Sequence, residues 1–127
     1  MPPPRRHTLT ALDEHGSALV NAIATRTAEV VAALTGLDSS TLLVPSELPG
    51  WSRLTIACHL RYGARTLERM TSDALRGDVT SFYPLGRTEQ RPRTLAPDDG
   101  EAADAVPRSL AVTSRDLLAL WTSLQHF

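Results

Sequence analysis

Two side chains that can do chemistry are neighbours in the stretch LPGWSRLTIACHLRYG, residues 48–63: the thiol of Cys58 and the imidazole of His59. A thiolate is a nucleophile and a metal ligand, and a neutral imidazole is the commonest metal ligand in proteins. On a helix, consecutive residues point about 100° apart, so these two do not form a matched pair on one face. The stretch leaves two interpretations of His59, an ordinary helix-edge residue or one ligand of a metal site. Cys58 is interpreted as a small filler or an exposed thiol rather than a nucleophile.

The remaining candidates for a site are scattered. Three other histidines are His7 in the Pro/Arg-rich start, His15 beside Glu14, and His126 near the end. Among the arginines after residue 80, Arg87 and the pair Arg91 and Arg93 could meet a carboxylate, although loop arginines are more often only solvated. Trp51 is interpreted as a packing residue at a helix entrance rather than a platform for substrate.

Composition limits the class of protein. The chain has 127 residues, of which 42% are hydrophobic, enough for one domain with a real core. A net charge of −1 gives no electrostatic footprint for nucleic acid or an anionic membrane. One cysteine excludes an internal disulfide and fits the cytoplasm, and the start has no apolar segment of a signal peptide. All 13 basic residues are arginine, which is typical of a G+C-rich coding sequence.

Helical periodicity first appears in residues 8–34, and Gly36 offers a stop. The apolar stripe of this predicted helix comprises Leu12, Leu19, Val20, Ile23, Val30, Val31 and Leu34. Residues 37–50, with two prolines, are expected to be connecting chain.

A second helix is predicted from Ser52, whose hydroxyl can cap the first turn, to about Gly77. Its stripe contains Ile56, Leu60, Gly63, Leu67, Met70 and Ala74. We expect Leu60, Leu67 and Met70 to be buried against the neighbouring helices, with Cys58 on the far side.

The last third of the chain predicts a crossover and one more helix. Residues 79–98 show no helical period, and residues 98–106 favour a separate helical turn. Pro107 suits the first turn of a final helix that reaches Leu124. No segment alternates as a strand does, so the fold class is all-α: an antiparallel bundle with a long crossover after the second helix. Residues 1–7 are predicted as a disordered arm and 8–127 as the domain, with three of four helices visible.

The motif LPGWSRLTIACHL resembles the start of the second helix in the mycothiol-dependent maleylpyruvate isomerase family of the DinB-like superfamily. The matching residues are Pro49, Gly50, Trp51, Ser52 and His59, and FYPLGR adds a weaker likeness through Tyr83, Pro84 and Arg87. The resemblance covers roughly residues 9–125, and it implies a DinB-like four-helix bundle.

The resemblance also implies a divalent metal, usually zinc, held by the second-helix histidine and a Glu-x-x-x-His pair on the fourth helix, with mycothiol at the open position. His59 is then the metal ligand, and Arg87 is the candidate for steering a carboxylate of the thiol or substrate. No Glu-x-x-x-His occurs in this sequence. Two of the three implied ligands therefore have no counterpart here.

Two functions of different classes remain open. One is part of a mycothiol-dependent isomerase or S-transferase that takes a small thiol and an electrophilic substrate. The other is a non-catalytic helical module that pairs with another chain. A reading frame that continued into a helix with Glu-x-x-x-His would favour the enzyme. The arginine-rich and alanine-rich composition is compatible with the actinobacteria in which mycothiol is expected. Apolar stripes that lack a fourth helix predict self-association into a homo-oligomer.

Overall fold

The computed structural model describes residues 13–124, and in this part of the chain the regular structure is helical apart from one isolated β-bridge between Pro45 and Ser52. The α-helices are α1 (Glu14–Leu34), α2 (Ser39–Leu42), α3 (Arg53–Leu75), α4 (Arg87–Thr94) and α5 (Val106–Ser123). A 3-10 turn, Ala103–Ala105, leads directly into α5. The all-α class and three long helices are therefore confirmed.

The ends of the long helices follow local chemistry. The Ser52 hydroxyl accepts the N–H of Thr55 at 3.1 Å and so caps α3, as predicted. Gly36 and Gly77 have φ of +90° and +85° just beyond α1 and α3, a conformation that only glycine adopts without strain. Pro107 lies in the first turn of α5, also as predicted. The predicted start of helix one at residues 8–12 and the arm at residues 1–7 lie outside the described residues.

The helix directions follow from contacts at the two ends of the bundle. At one end Leu54 of α3 and Leu110 of α5 share one core cluster with Leu34 of α1. At the other end the Trp121 indole N–H of α5 donates to the Thr71 hydroxyl of α3 at 3.0 Å. Thus α3 and α5 run parallel, and α1 runs antiparallel to them. Helix α5 packs against both of the others.

The buried face of α3 differs from the prediction. Leu60 is 38% exposed, and Leu67 and Met70 are only half-buried, so their predicted burial is wrong for Leu60 and incomplete for the other two. The face that packs is instead Leu54, Ala57, Cys58, Arg61 and Ala64. Small side chains on this face let the helices approach closely, whereas the larger apolar stripe faces an open groove. Cys58 is 1% exposed, so it is a small filler and not an exposed thiol.

Two helical segments occur where connecting chain was expected. Helix α2 forms because the Asp38 carboxylate accepts the N–H of Thr41 at 2.8 Å. Helix α4 follows Gly86, and the Gln90 side chain accepts the N–H of Leu85 at 2.7 Å ahead of it. Most residues of α4 are exposed, so it has no apolar period by which the sequence could reveal it.

The crossover is fastened to α3 by aromatic rings. The Tyr62 hydroxyl donates to the carbonyl oxygen of Phe82 at 2.6 Å, and the rings of Tyr62 and Tyr83 stack with centroids 5.5 Å apart. This contact holds the start of the crossover beside the middle of α3.

Helix α1 is unusual in how little of it is buried. Only Val20 and Leu34 of its 21 residues are buried. Over an 18-residue window its mean hydropathy is 1.2 and 11% is buried, which makes it long and apolar enough to cross a membrane by length and composition alone. A helix this apolar normally has a partner on more than one side.

Candidate functional site

His59 lies in the second turn of α3, on the wall of a groove of about 380 Å³ between α1 and α3. We call this the α1–α3 groove. Its floor is α5, and its lining is mostly apolar: Ile23, Val30, Val31, Leu60, Leu67, Leu117, Leu118 and Trp121, with Arg26 and Thr27 from α1. The predicted α3 stripe around Leu60 and Leu67 thus belongs to this groove.

The His59 ring has one nitrogen without a partner. Its Nδ1 atom is buried and neither accepts nor donates a hydrogen bond. A buried polar atom in this state costs about 1–3 kcal/mol, so it is normally satisfied by a protein group, a water or a ligand. His59 therefore brings a buried polar atom without a partner to the wall of a mostly apolar groove.

Trp51 fixes the other side of the His59 ring. The two rings meet edge to face, with centroids 5.3 Å apart and an interplanar angle of 64°. Trp51 is held at the entrance of α3 by the turn at Gly50, where φ is +79°, and by the cap at Ser52. It acts as a packing residue, as the sequence indicated.

Arg91 extends this row of side chains onto the crossover. Its guanidinium carbon lies 5.9 Å from the centre of the Trp51 ring, within the range of a cation–π contact. His59, Trp51 and Arg91 thus form a continuous contact from the groove wall to α4. The sequence singled out each residue but gave no sign that they meet, because Arg91 arrives through a crossover.

Arg87 is the exposed first residue of α4. It lines a shallow hollow with Thr88, Arg91, Pro92 and Leu95 and does not line the α1–α3 groove. Arg91, which lines the same hollow, is in contact with Trp51 beside His59. The predicted role of Arg87 in binding a carboxylate stays a prediction.

The described residues do not fit a three-ligand metal centre. Residues 13–124 contain no group of three or more histidine, cysteine, aspartate or glutamate side chains placed to hold a metal. Glu14 and His15 lie in the first turn of α1, outside the lining of the groove around His59. His7 and His126 lie outside the described residues. His59 is one ligand at most, and a metal centre here needs donors from elsewhere.

A second cavity, of about 500 Å³, lies between α3 and α4. Its lining is rich in charge: Arg61, Arg65, Glu89, Arg93 and Asp98, together with Cys58, Tyr62, Gln90 and Thr94. The adjacent residues Cys58 and His59 therefore open onto different cavities, as the 100° step of a helix requires.

Arg61 is the most deeply buried charge in the described part of the chain, at 2% exposure. One of its guanidinium nitrogens donates to the Glu101 carboxylate at 2.6 Å, and a second lies 3.6 Å from Asp98. Arg65 binds both oxygens of Asp98, at 3.3 and 3.1 Å. These ion pairs tie the end of the crossover to α3. Sequence reasoning missed them, although Leu54, Ala57, Cys58 and Arg61 have the spacing of one helix face.

The same cluster sets the ionisation of its members. Burial raises the pKa of the Cys58 thiol to about 11, against the pull of the nearby Arg61 charge. The hydrogen bond from Arg61 lowers the pKa of Glu101, and that from Arg65 lowers the pKa of Asp98. A thiol with so high a pKa is almost fully protonated at neutral pH, so Cys58 is no nucleophile there.

Comparison with known proteins gives one match. The family model of the mycothiol maleylpyruvate isomerase N-terminal domain matches residues 20–126. No curated protein sequence and no solved structure matches the chain. The matched segment runs from within α1 through α5 and includes the Pro-Gly-Trp-Ser turn, His59 and the crossover. The chain therefore belongs to the family of mycothiol maleylpyruvate isomerase N-terminal domains.

Proposed function

We propose that this chain is the helical domain of a mycothiol-dependent isomerase or S-transferase, with a DinB-like bundle in which His59 supplies one imidazole to the thiol-handling site. The observation that carries the proposal is the buried, unpartnered Nδ1 atom of His59 on the wall of the α1–α3 groove. An apolar groove with one unsatisfied polar atom favours an occupant that brings a complementary polar group.

A further helix in the groove is the occupant that this proposal requires. One imidazole does not retain zinc against water and buffer, since protein zinc sites use three or four protein ligands. The remaining donors must come from that helix. Until it is supplied, the chain is expected to be catalytically silent.

A second candidate is a non-catalytic helical module whose open groove pairs with another chain. The observation that favours it is that residues 13–124 contain no group of three or more metal-binding side chains placed to hold an ion. In that case the groove serves association alone, and His59 is an ordinary groove residue.

Zinc titration by calorimetry tests the first candidate. We expect the 127-residue chain to bind zinc weakly, and His59→Ala to change little. His15→Ala, at an exposed position of α1, is the matched control. Tight stoichiometric binding that is lost in His59→Ala but kept in His15→Ala would contradict the need for a further helix.

Supplying a helix separates the two candidates. A synthetic amphipathic helix carrying Glu-x-x-x-His is added to the chain, and the zinc titration is repeated. The enzyme proposal predicts a gain of at least 100-fold in zinc affinity that depends on His59, as expected when one ligand becomes three. If the helix binds without any gain in zinc affinity, the non-catalytic module is supported and the enzyme proposal fails.

A further inference from the structure

The outer face of α1 carries an apolar stripe that α5 does not cover. Leu19, Ile23 and Val30 are 51%, 42% and 38% exposed, although α1 also packs onto α5 through Val20 and Leu34. Arg26 and Ala33 complete the stripe. Its successive residues are separated by four, three, four and three positions: Leu19, Ile23, Arg26, Val30 and Ala33. This 4-3 spacing is the seam along which two helices pack with small crossing angles.

The stripe and the α1–α3 groove share residues. Ile23, Arg26 and Val30 belong to the stripe and also line the groove. Helix α1 therefore has two roles. It forms one wall of the groove of its own chain, and its apolar outer face can pack into the groove of another copy. Since each copy of the chain offers both surfaces, a second copy meets the requirement of self-complementarity in a two-fold dimer.

We propose that two copies of this chain associate through the α1–α3 groove, the α1 helix of each lying antiparallel to α1 of the other and filling the other's groove. Each half of the dimer is then a four-helix arrangement of α1, α3 and α5 with the partner copy's α1. This inference rests on α1 and the groove alone and does not depend on a metal role for His59. The partner copy's α1 takes the place that the proposed function gives to a further helix, so the dimer is the state of the chain when that helix is not supplied.

The register of the pair follows from the stripe. With the two-fold axis between positions 26 and 27, Ile23 of each copy faces Val30 of the other. Arg26 lies two positions from direct opposition to the other copy's Glu29, about 3 Å along the axis. Within one chain Arg26 pairs with Glu29 at 3.1 Å, both exposed, so the same charges can pair across the axis. Net charge near zero, −1 per chain, adds little long-range repulsion.

The outer face of α1 supplies a large part of the contact area that a dimer needs. A helix of 21 residues is about 31 Å long and about 10 Å wide, so half of its lateral surface is roughly 500 Å². Stable dimers bury roughly 800 Å² per partner, so the groove walls from α3 and α5 have to contribute the remaining roughly 300 Å².

A membrane is the competing explanation for the apolarity of α1. The charged pair Arg26 and Glu29 lies near the middle of the helix, where a lipid core would disfavour it. Insertion would also remove Val20 and Leu34 from their contacts with the rest of the fold. Association with a second copy retains those contacts and keeps Arg26 within reach of a Glu29 carboxylate.

Disulfide cross-linking tests the arrangement. The native Cys58 is buried, so the unmodified chain gives the background. Arg26→Cys places a thiol beside the two-fold axis and is expected to give a majority of linked dimers on oxidation. Ala33→Cys, on the same stripe, is the matched control: its two copies lie about 20 Å apart in the antiparallel register and stay at background.

Sedimentation is the second test of the proposed dimer. The unmodified chain is expected to sediment as a dimer and Ile23→Glu as a monomer with unchanged helix content. Val79→Glu, at a fully exposed position of the crossover, should remain dimeric. A strictly monomeric chain at high concentration, or equal linking at positions 26 and 33, would overturn the proposal. So would monomeric binding of the chain to phosphatidylglycerol vesicles that Ile23→Glu abolishes.

Discussion

At the scale of single residues, the chain separates two reactive side chains that are adjacent in sequence. His59 faces the apolar α1–α3 groove with one unpaired nitrogen, whereas Cys58 lies beneath the charged cavity on the other side of α3. The histidine is partly exposed and lines the groove, whereas the thiol is enclosed by the core. Only one of the two is in a position to do chemistry at neutral pH.

The Cys58 thiol is expected to react very slowly with a disulfide reagent at pH 8. Its pKa of about 11 leaves a thiolate fraction of about one part in a thousand, and its 1% exposure hinders attack. The measurement is the rate at which the reagent's own thiol is released when it reacts with Cys58, in the folded chain and in concentrated urea. We expect prompt, complete reaction only after unfolding.

An equally fast reaction of folded and unfolded protein would show that Cys58 is accessible and that the α3 orientation is wrong. An internal reference comes from a Val79→Cys variant, in which the added thiol lies at a fully exposed position of the crossover. In reducing buffer, where it cannot cross-link, that thiol should be alkylated quickly while Cys58 is not.

How much of the site could be predicted differs from residue to residue. His59, its helix and the Trp51 turn follow from a local motif of a dozen residues, so they were predictable. The contact of Arg91 with Trp51 joins positions 40 apart in sequence, and no local pattern encodes it. The missing hydrogen-bond partner of the His59 Nδ1 atom likewise follows from tertiary structure, because it depends on which groups the other elements bring near that atom.

At the scale of elements, ion pairs rather than apolar packing hold the C-terminal end of the crossover against α3. Arg61 is buried with Glu101, whose side chain is 16% exposed, and Arg65 binds the more exposed Asp98. Together they fix the point at which the chain turns into the 3-10 segment and α5. Removing one partner leaves a buried charge without its counter-ion.

Glu101→Gln is expected to lower the free energy of unfolding at pH 7 by about 3 kcal/mol, because the Arg61 charge remains buried. The hydrogen bond from Arg61 lowers the pKa of Glu101 in the folded state. Its contribution is therefore fully present above the ordinary carboxyl pKa of about 4.3 and is lost as the pH falls through the lower folded pKa. Urea unfolding between pH 7 and pH 3 measures both effects.

The difference between the unmodified chain and Glu101→Gln should shrink as the pH falls below the ordinary carboxyl pKa of about 4.3 and through the lower folded pKa of Glu101. Glu47→Gln, at an exposed position in the loop before α3, is the matched control and should change stability by less than about 0.5 kcal/mol at either pH. A constant difference from pH 7 to pH 3 would exclude the ion pair as its source.

The elements themselves were predictable where capping chemistry is local and not where burial is decided at a distance. Ser52, Gly36, Gly77 and Pro107 mark helix ends in sequence and in structure alike. The face of α3 could not be predicted, since an arginine and small residues occupy the packed side while leucines line the groove. Only the positions of α5 and the crossover reveal that Arg61 has a partner.

At the scale of the whole molecule, the proposed dimer predicts that stability depends on association. A dimer that buries the α1 stripe stabilises only the folded, associated state, so the midpoint of thermal unfolding should rise with protein concentration. We expect a rise of several degrees over a 100-fold range for the unmodified chain. Circular dichroism at two path lengths measures it.

Ile23→Glu should unfold at a midpoint that does not depend on concentration, whereas Val79→Glu should behave as the unmodified chain does. Concentration-independent unfolding of the unmodified chain would mean that the folded monomer is self-sufficient. The exposed leucines and valines of α1 would then need another explanation.

The parallel packing of α3 on α5 also determines how the chain can reach its native state. The hydrogen bond between Thr71 and Trp121 joins residues 50 positions apart, and the ion pair of Arg61 with Glu101 spans 40. Helices α3 and α5 therefore cannot pair as a simple helical hairpin, because the crossover between them must traverse the length of the pair before the two helices align. Folding rates fall as contacting residues become more distant in sequence. This domain should accordingly fold more slowly than an up-and-down helical bundle of equal length, with α3 and α5 formed as helices before they meet.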